Sequence, residues 1–332
     1  MPGDSLGSGP CPSAPRAPST HVCAADRGAT RRGLLVGALA TALGGCARLT
    51  DPVVHGTNPT TPLPIPSPDP VLVAVAGQVA GLRAGLAALT DAPRGWRDAS
   101  EAMLSAHLGT LTARDPLSGQ PSPRPWTTPS PSTPAPSDAK DFATVAGRLA
   151  EGHAQRALEA TEPDLALWWA SMAVALQQNT VPGPAPRAGA LPRSLVFSGE
   201  VESRNVLLAH LHALTQLLEI LVGVTSGGTR KAPEARLGQV RALVTEEQVA
   251  VRAAGGDPVG PLPGYEFPGP VGTAAELGST WALVEDQVLT ARGPVLASAG
   301  TAGRSPALQA MLDQADAVRA RGLGTRWFPG WA

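Results

Sequence analysis

An all-α fold is predicted by three features of the sequence. Apolar residues recur at three- and four-residue spacing in eight separate stretches, the period of one helix face. No stretch shows the strict alternation of a half-buried strand. Aromatic residues make up only 4% of the chain, so a core must be built from Ala, Leu and Val, the side chains of closely packed helices. Hydrophobic residues at 43% suffice for such a core, and 332 residues give room for one large or two small domains. A formal net charge of −1 supplies no electrostatic footprint for nucleic acid or for an anionic membrane surface.

The N-terminal part reads as an export address. Thr30-Arg31-Arg32-Gly33-Leu34-Leu35 opens an apolar run that ends at Gly45. The run is about a dozen residues, short of the roughly 20 a membrane-spanning helix needs, and it follows an arginine pair. That is the layout of a signal peptide, and Arg31-Arg32 with the leucines resembles the twin-arginine motif. Leu43-Gly44-Gly45-Cys46 resembles a bacterial lipobox, in which small residues admit the peptidase and the thiol takes a diacylglyceryl group. Residues 1–45 are thus expected to be removed, and Cys46 to carry the lipid that holds the chain to the outer face of the cytoplasmic membrane. Loss of four arginines and two aspartates with the leader leaves a net charge of −3. Cys11 and Cys23 leave with it, so no disulfide is expected.

Residues 46–70 carry seven prolines, from Pro52 to Pro70, and form an extended tether. Residues 71–180 hold the first helical set. Val75, Val79, Leu82, Leu86 and Leu89 give a helix over Val71 to about Leu89, broken by Asp91-Ala92-Pro93. Met103, Leu104, Leu108 and Leu111 give a second over Trp96–Ala113. The Pro/Ser/Thr-rich stretch 115–140 is expected to be a disordered loop. Phe142–Ala160 and Asp164–Gln178 are the third and fourth helices, around Glu162-Pro163. A linker at 181–193 follows.

Residues 194–332 hold the second set. Leu207, Leu211, Leu214, Leu218 and Leu221 stripe a helix over Glu202–Val222. Another runs over Glu234–Ala254, stopped by Gly255-Gly256-Asp257-Pro258. Thr273-Ala274-Ala275-Glu276 is a capping box opening a helix to about Ala291, before Gly293-Pro294. Ser305-Pro306 is expected to start the last helix, which ends near Arg321. The eight helices are consistent with two up-down bundles or one interlocked bundle.

The order of motifs in this second set carries a resemblance. A helical hairpin is followed by Gly255-Gly256-Asp257-Pro258 and Pro263-Gly264-Tyr265-Glu266-Phe267-Pro268-Gly269-Pro270-Val271. A helix bearing Leu283-Val284-Glu285-Asp286 comes next, and Phe328-Pro329-Gly330 lies close to the end. This resembles an actinobacterial ferritin-like domain family of unknown function, over roughly Ser194–Trp331. The resemblance implies a ferritin-like four-helix up-down bundle and no known reaction. Residues 71–180, which it does not cover, are expected to form a second, N-terminal helical bundle.

Di-metal proteins of ferritin type place Glu-x-x-His pairs on two helices, because residues i and i+3 share a face. The sequence contains no such pair, and Ala209-His210 stands where the resembled family often has Glu-His. Three polar residues nevertheless fall beside apolar stripes: His210, Glu247 and Glu285. They are the candidate metal ligands, for iron or manganese, or else a boundary histidine and two glutamates paired with arginine. His107 and His153 read as lone helix histidines, and His212 as the solvated partner of Glu219. Trp168-Trp169 and Trp327/Trp331 are either core residues or anchors for a partner. No Gly-x-Ser-x-Gly, phosphate-binding loop, dinucleotide fingerprint or His-Glu-x-x-His occurs. The expectation is a non-enzymatic envelope lipoprotein, a helical binding or scaffolding module with a protein or ligand partner and no cofactor. The alternatives are a ferritin-like oxidase or metal-binding protein, and a ligand-binding lipoprotein of a transporter.

Overall fold

In the computed structural model, residues 67–121, 129–196 and 199–332 are described. The residues expected to serve in export and lipid attachment, Arg31, Arg32, Leu43, Gly44, Gly45 and Cys46, lie outside them, as does the expected tether up to residue 66. Among the described residues there are eight α-helices and no strand, only two isolated bridges. The chain is all-α.

Local chemistry sets half of the helix starts among the described residues. In α1 (Pro70–Gly85) the Asp69 carboxylate accepts from the Val71 N–H at 2.8 Å, and Pro70 occupies the first turn, where its missing N–H costs nothing. A 3-10 turn, Leu86–Ala88, extends it. α2 spans Arg94–Leu111. Asp138 caps α3 (Ala139–Glu159) through the Asp141 N–H, and Pro163 opens α4 (Pro163–Gln178). α5 is Glu200–Val224 and α6 is Lys231–Ala253. α7 (Ala274–Ser298) starts with the full Thr273/Glu276 capping box. α8 is Thr301–Ala320. α1 with its 3-10 extension and α5 are long and apolar enough to cross a membrane by length and composition alone, and 44% of each such window is buried within the protein.

Two starts and stops differ from expectation. α7 does not end at Ala291 but runs through Pro294 to Ser298. An interior proline costs about 3 kcal/mol, and the buried Val295, Leu296 and Ala297 beyond it offset that. α8 begins at Thr301, not Ser305, so Pro306 lies inside it.

The four helices α5–α8 have one consistent topology. α5 packs on α6 and α7, and α7 on α8. The segment from Gly255 to Gly272 returns along α5 in the direction of α5. Asn205 donates to the Asp257 carbonyl and accepts from the Val259 N–H, the His212 ring bonds the Val259 carbonyl, and Gln216 accepts from the Tyr265 N–H. The crossover therefore brings the chain back to the end where α6 began. One depression is lined by the end of α5, the starts of α6 and α7, and the end of α8. So α6 and α7 run in the same direction, and plain up-down alternation is broken at the crossover. His212 holds the crossover rather than Glu219, which pairs with Arg241 at 2.8 Å.

The first four helices repeat this plan. α1 packs on α2 and α3, and α3 on α4. Their crossover lies on a stripe of glycines along α1. The Ser132 N–H donates to the Gly77 carbonyl. A side-chain carbon added to Gly77 or Gly81 would come within 2.7 Å of Ser132 Oγ or Thr133 Oγ1, and one on Gly85 would strike the Pro136 ring. Only glycine allows this approach. The part of 115–140 expected to be disordered is, from residue 129 onward, seated in that groove. A second depression is lined by the α1–α2 turn, the start of α3 and Pro182 just beyond α4, the same arrangement of helix ends as in α5–α8.

The two sets share a core. α4 packs on α7 and α8, and α3 on α8. One cluster joins residues of α1–α4 to Leu289, Leu296, Leu308 and Met311, and to Phe328 and Trp331 of the C-terminal segment. A second cluster fills α5–α7. Residues 182–195 stitch the sets: Arg187 exchanges backbone hydrogen bonds with Thr325 and Trp327, and Gly119 and Leu117 pair with Pro192 and Ser194. Gly330, at φ +91°, lies against Gly293 of α7, where a side chain would meet the Gly330 carbonyl. Trp168, Trp169 and Trp331 are core residues, and Trp327 is partly buried against them.

Candidate functional site

The interior of α5–α8 is polar at two levels, and each of its four helices contributes. At the first, Glu285 of α7 is fully buried. Arg236 of α6 meets it with both edges of its fork, Nε to Oε1 at 2.9 Å and Nη2 to Oε2 at 2.8 Å. The Trp281 indole N–H donates to Oε1 at 2.8 Å. Gln314 of α8 donates to Oε2 at 2.7 Å and to the Glu285 carbonyl at 2.9 Å. A buried carboxylate costs several kcal/mol unless it is paired and hydrogen-bonded. Here four donors hold its two oxygens.

At the second level, Glu247 of α6 accepts from Arg204 of α5 at 2.8 Å and lies 3.9 Å from Arg292 of α7. Burial lowers the Arg292 pKa, and Glu247 is the first of the groups that oppose this. Burial also pulls on Arg204, but Glu200 and Glu247 outweigh it and leave its pKa raised.

The candidate ligands are thus placed but not assembled. Glu247 and Glu285 each face arginine. His210 is half-buried in a separate shallow groove with Thr290, Ala291, Pro294 and Gly330, where burial lowers its pKa. Among the described residues no three of His, Cys, Asp and Glu are set to hold a metal ion. The donor set does not fit a di-metal centre, since the Glu285 oxygens already serve four hydrogen-bond donors and Glu247 lies between two guanidinium groups. Asp286, next to Glu285, points the other way. It binds Arg326 at 2.9 Å and lies 2.9 Å from Arg187, tying the C-terminal segment to the linker.

The network continues outward to a pocket. Trp281, held by Glu285, is among the residues that line the depression at the shared end of α5–α8, and the Arg321 guanidinium lies over its ring at 4.1 Å. Sequence reasoning reached Glu247 and Glu285 but not Arg204, Arg236, Arg292, Gln314 or Arg321. The available signal was an arginine next to each apolar stripe, such as Arg236 before Leu237, and solvated helix faces carry the same signal. Comparison with known protein families, curated proteins and solved structures finds no match.

Proposed function

We propose that this protein is a lipid-anchored extracytoplasmic binding module, displayed on the tether after Cys46 and built on a ferritin-like bundle whose centre holds ion pairs where such bundles place metals. The hairpin–crossover–hairpin path of α5–α8, with α6 and α7 running the same way, supports the ferritin-like reading. The observation that carries the functional reading is Glu285: its carboxylate is saturated by Arg236, Trp281 and Gln314. A carboxylate held by this many fixed donors is a structural group, not a ligand awaiting a metal.

Two experiments test it. The purified full-length chain is incubated with iron, manganese or zinc, desalted, and its metal content measured by mass spectrometry. Retention below about 0.1 metal per chain is expected. Near-integral metal, lost on Glu247→Ala, would replace this reading with a ferritin-like redox role. For the anchor, a Cys46→Ala chain is expected in the soluble fraction of fractionated cells, and its complete retention in membranes would remove the lipid from the proposal.

A further inference from the structure

We propose that the depression at the shared end of α5–α8 binds a small organic carboxylate, gripped by Arg321 above the Trp281 ring. This rests on the binding role above and names its ligand class. The cavity measures about 500 Å³, within the range of roughly 300–1,000 Å³ typical of small-molecule sites. Its space comes from small side chains at Ala232, Ala275, Gly278 and Ala320. A side-chain carbon at Gly278 would meet nothing within 4 Å, so the glycine opens the cavity rather than relieving a clash.

The site is built before any ligand arrives. Trp281 is nearly buried, and its indole N–H is held by Glu285, which Arg236 and Gln314 hold in turn. A ring so supported cannot swing away, which is the condition for a preorganised contact. Arg321 stacks on that ring and, among the described residues, has no carboxylate within ion-pair distance. A guanidinium held over a ring can still present its N–H edge to a carboxylate with two parallel hydrogen bonds. Of the acidic residues in the first turns of α6 and α7, Glu276 closes the capping box and Glu234 lies 3.8 Å from Arg230. Among the described residues, Arg321 is the one charged side chain in the lining; the walls are mostly alanine, proline and leucine, with Thr225 and Thr229 at one edge, a combination that selects a monoanion with an apolar body and disfavours cations.

The test uses the full-length chain, with phenylacetate as probe and phenylacetamide as its uncharged counterpart. Calorimetry is expected to show saturable one-to-one binding of phenylacetate, with the amide weaker by at least about tenfold, the scale of a charge-assisted hydrogen bond. In nitrogen-15 spectra the indole N–H signal of Trp281, assigned through Trp281→Phe, shifts on titration. Arg321→Gln weakens phenylacetate at least about tenfold with an unchanged Tm. Gly278→Leu fills the space, keeps Arg321, and abolishes binding; it decides the matter should Arg321→Gln fold poorly. The proposal is overturned if phenylacetate does not bind, if the amide binds as well as the acid, or if Gly278→Leu binds as the parent does. A metal-free chain that ignores phenylacetate loses this site and keeps the binding-module reading. A chain that retains integral metal loses that reading whatever the pocket does.

Discussion

Glu285 shows how much one buried carboxylate demands of its neighbours. Its position beside the stripe of Leu277, Trp281 and Val288 is legible in the sequence, because residues four apart share a helix face. Its partners are not legible, since Arg236 and Gln314 come from helices whose rotation depends on packing. Removing one partner of a buried pair leaves a charge uncompensated, which typically costs 3–5 kcal/mol. Arg236→Met is therefore expected to destabilise the protein by about 3–5 kcal/mol in urea denaturation. Adding Glu285→Leu should recover a large part of that loss, because the desolvated charge goes with it. If Arg236→Met costs less than about 1 kcal/mol, the level of an exposed pair, then Glu285 is not held as described.

At the scale of elements, the helices were legible because their apolar stripes are strong, and the ends were legible where a cap or proline marks them. Pro163 and the Thr273 box act as the sequence suggests. The end of α7 and the start of α8 were missed for one reason: Pro294 and Pro306 read as punctuation. At Pro294 the buried Val295, Leu296 and Ala297 override the local penalty, whereas Ser305 and Pro306 are exposed and their packing does not explain why α8 runs through them. The crossovers were missed for another. Gly77, Gly81 and Gly85 repeat every four residues, yet the chain that fills their groove, Ser130 to Pro136, lies some fifty residues away, and nothing local names it. The groove has a direct consequence. Gly81→Leu raises helix propensity by up to about 1 kcal/mol, but it must expel the chain at Thr133, where overpacking costs about 1–3 kcal/mol. A net loss of stability is expected, with faster proteolysis between residues 129 and 138. An unchanged midpoint and cleavage rate would show that the crossover does not rest on α1.

At the scale of the whole molecule, the two helical sets are not independent, because the C-terminal segment that follows α8 ends inside the core of α1–α4. That core also contains two fully buried imidazoles. His107 of α2 bonds the Trp327 carbonyl through Nε2 at 2.8 Å, and His153 of α3 packs beside Trp169 with both ring nitrogens unpaired among the described residues. Burial lowers the His107 pKa from 6.5 to about 4, with the Trp327 bond opposing it. Burial, then His107 and Arg156, push His153 well below its ordinary value. Both groups are neutral in the folded state and take up protons more readily when unfolded. Their contribution is therefore whole above pH 6.5 and is lost as pH falls from there toward the folded pKa. Each histidine can contribute a slope of up to about 1.4 kcal/mol per pH unit, and His107 alone accounts for about 3 kcal/mol by pH 4. Denaturation midpoints measured between pH 7 and pH 4.5 are expected to fall steeply and as a single transition, since Trp327 and the C-terminal segment couple the sets. His153→Phe should flatten the fall, because a ring that cannot take a proton loses nothing to acid. A midpoint flat over this window, or two separate transitions, would mean that these histidines are solvated or that the halves unfold apart.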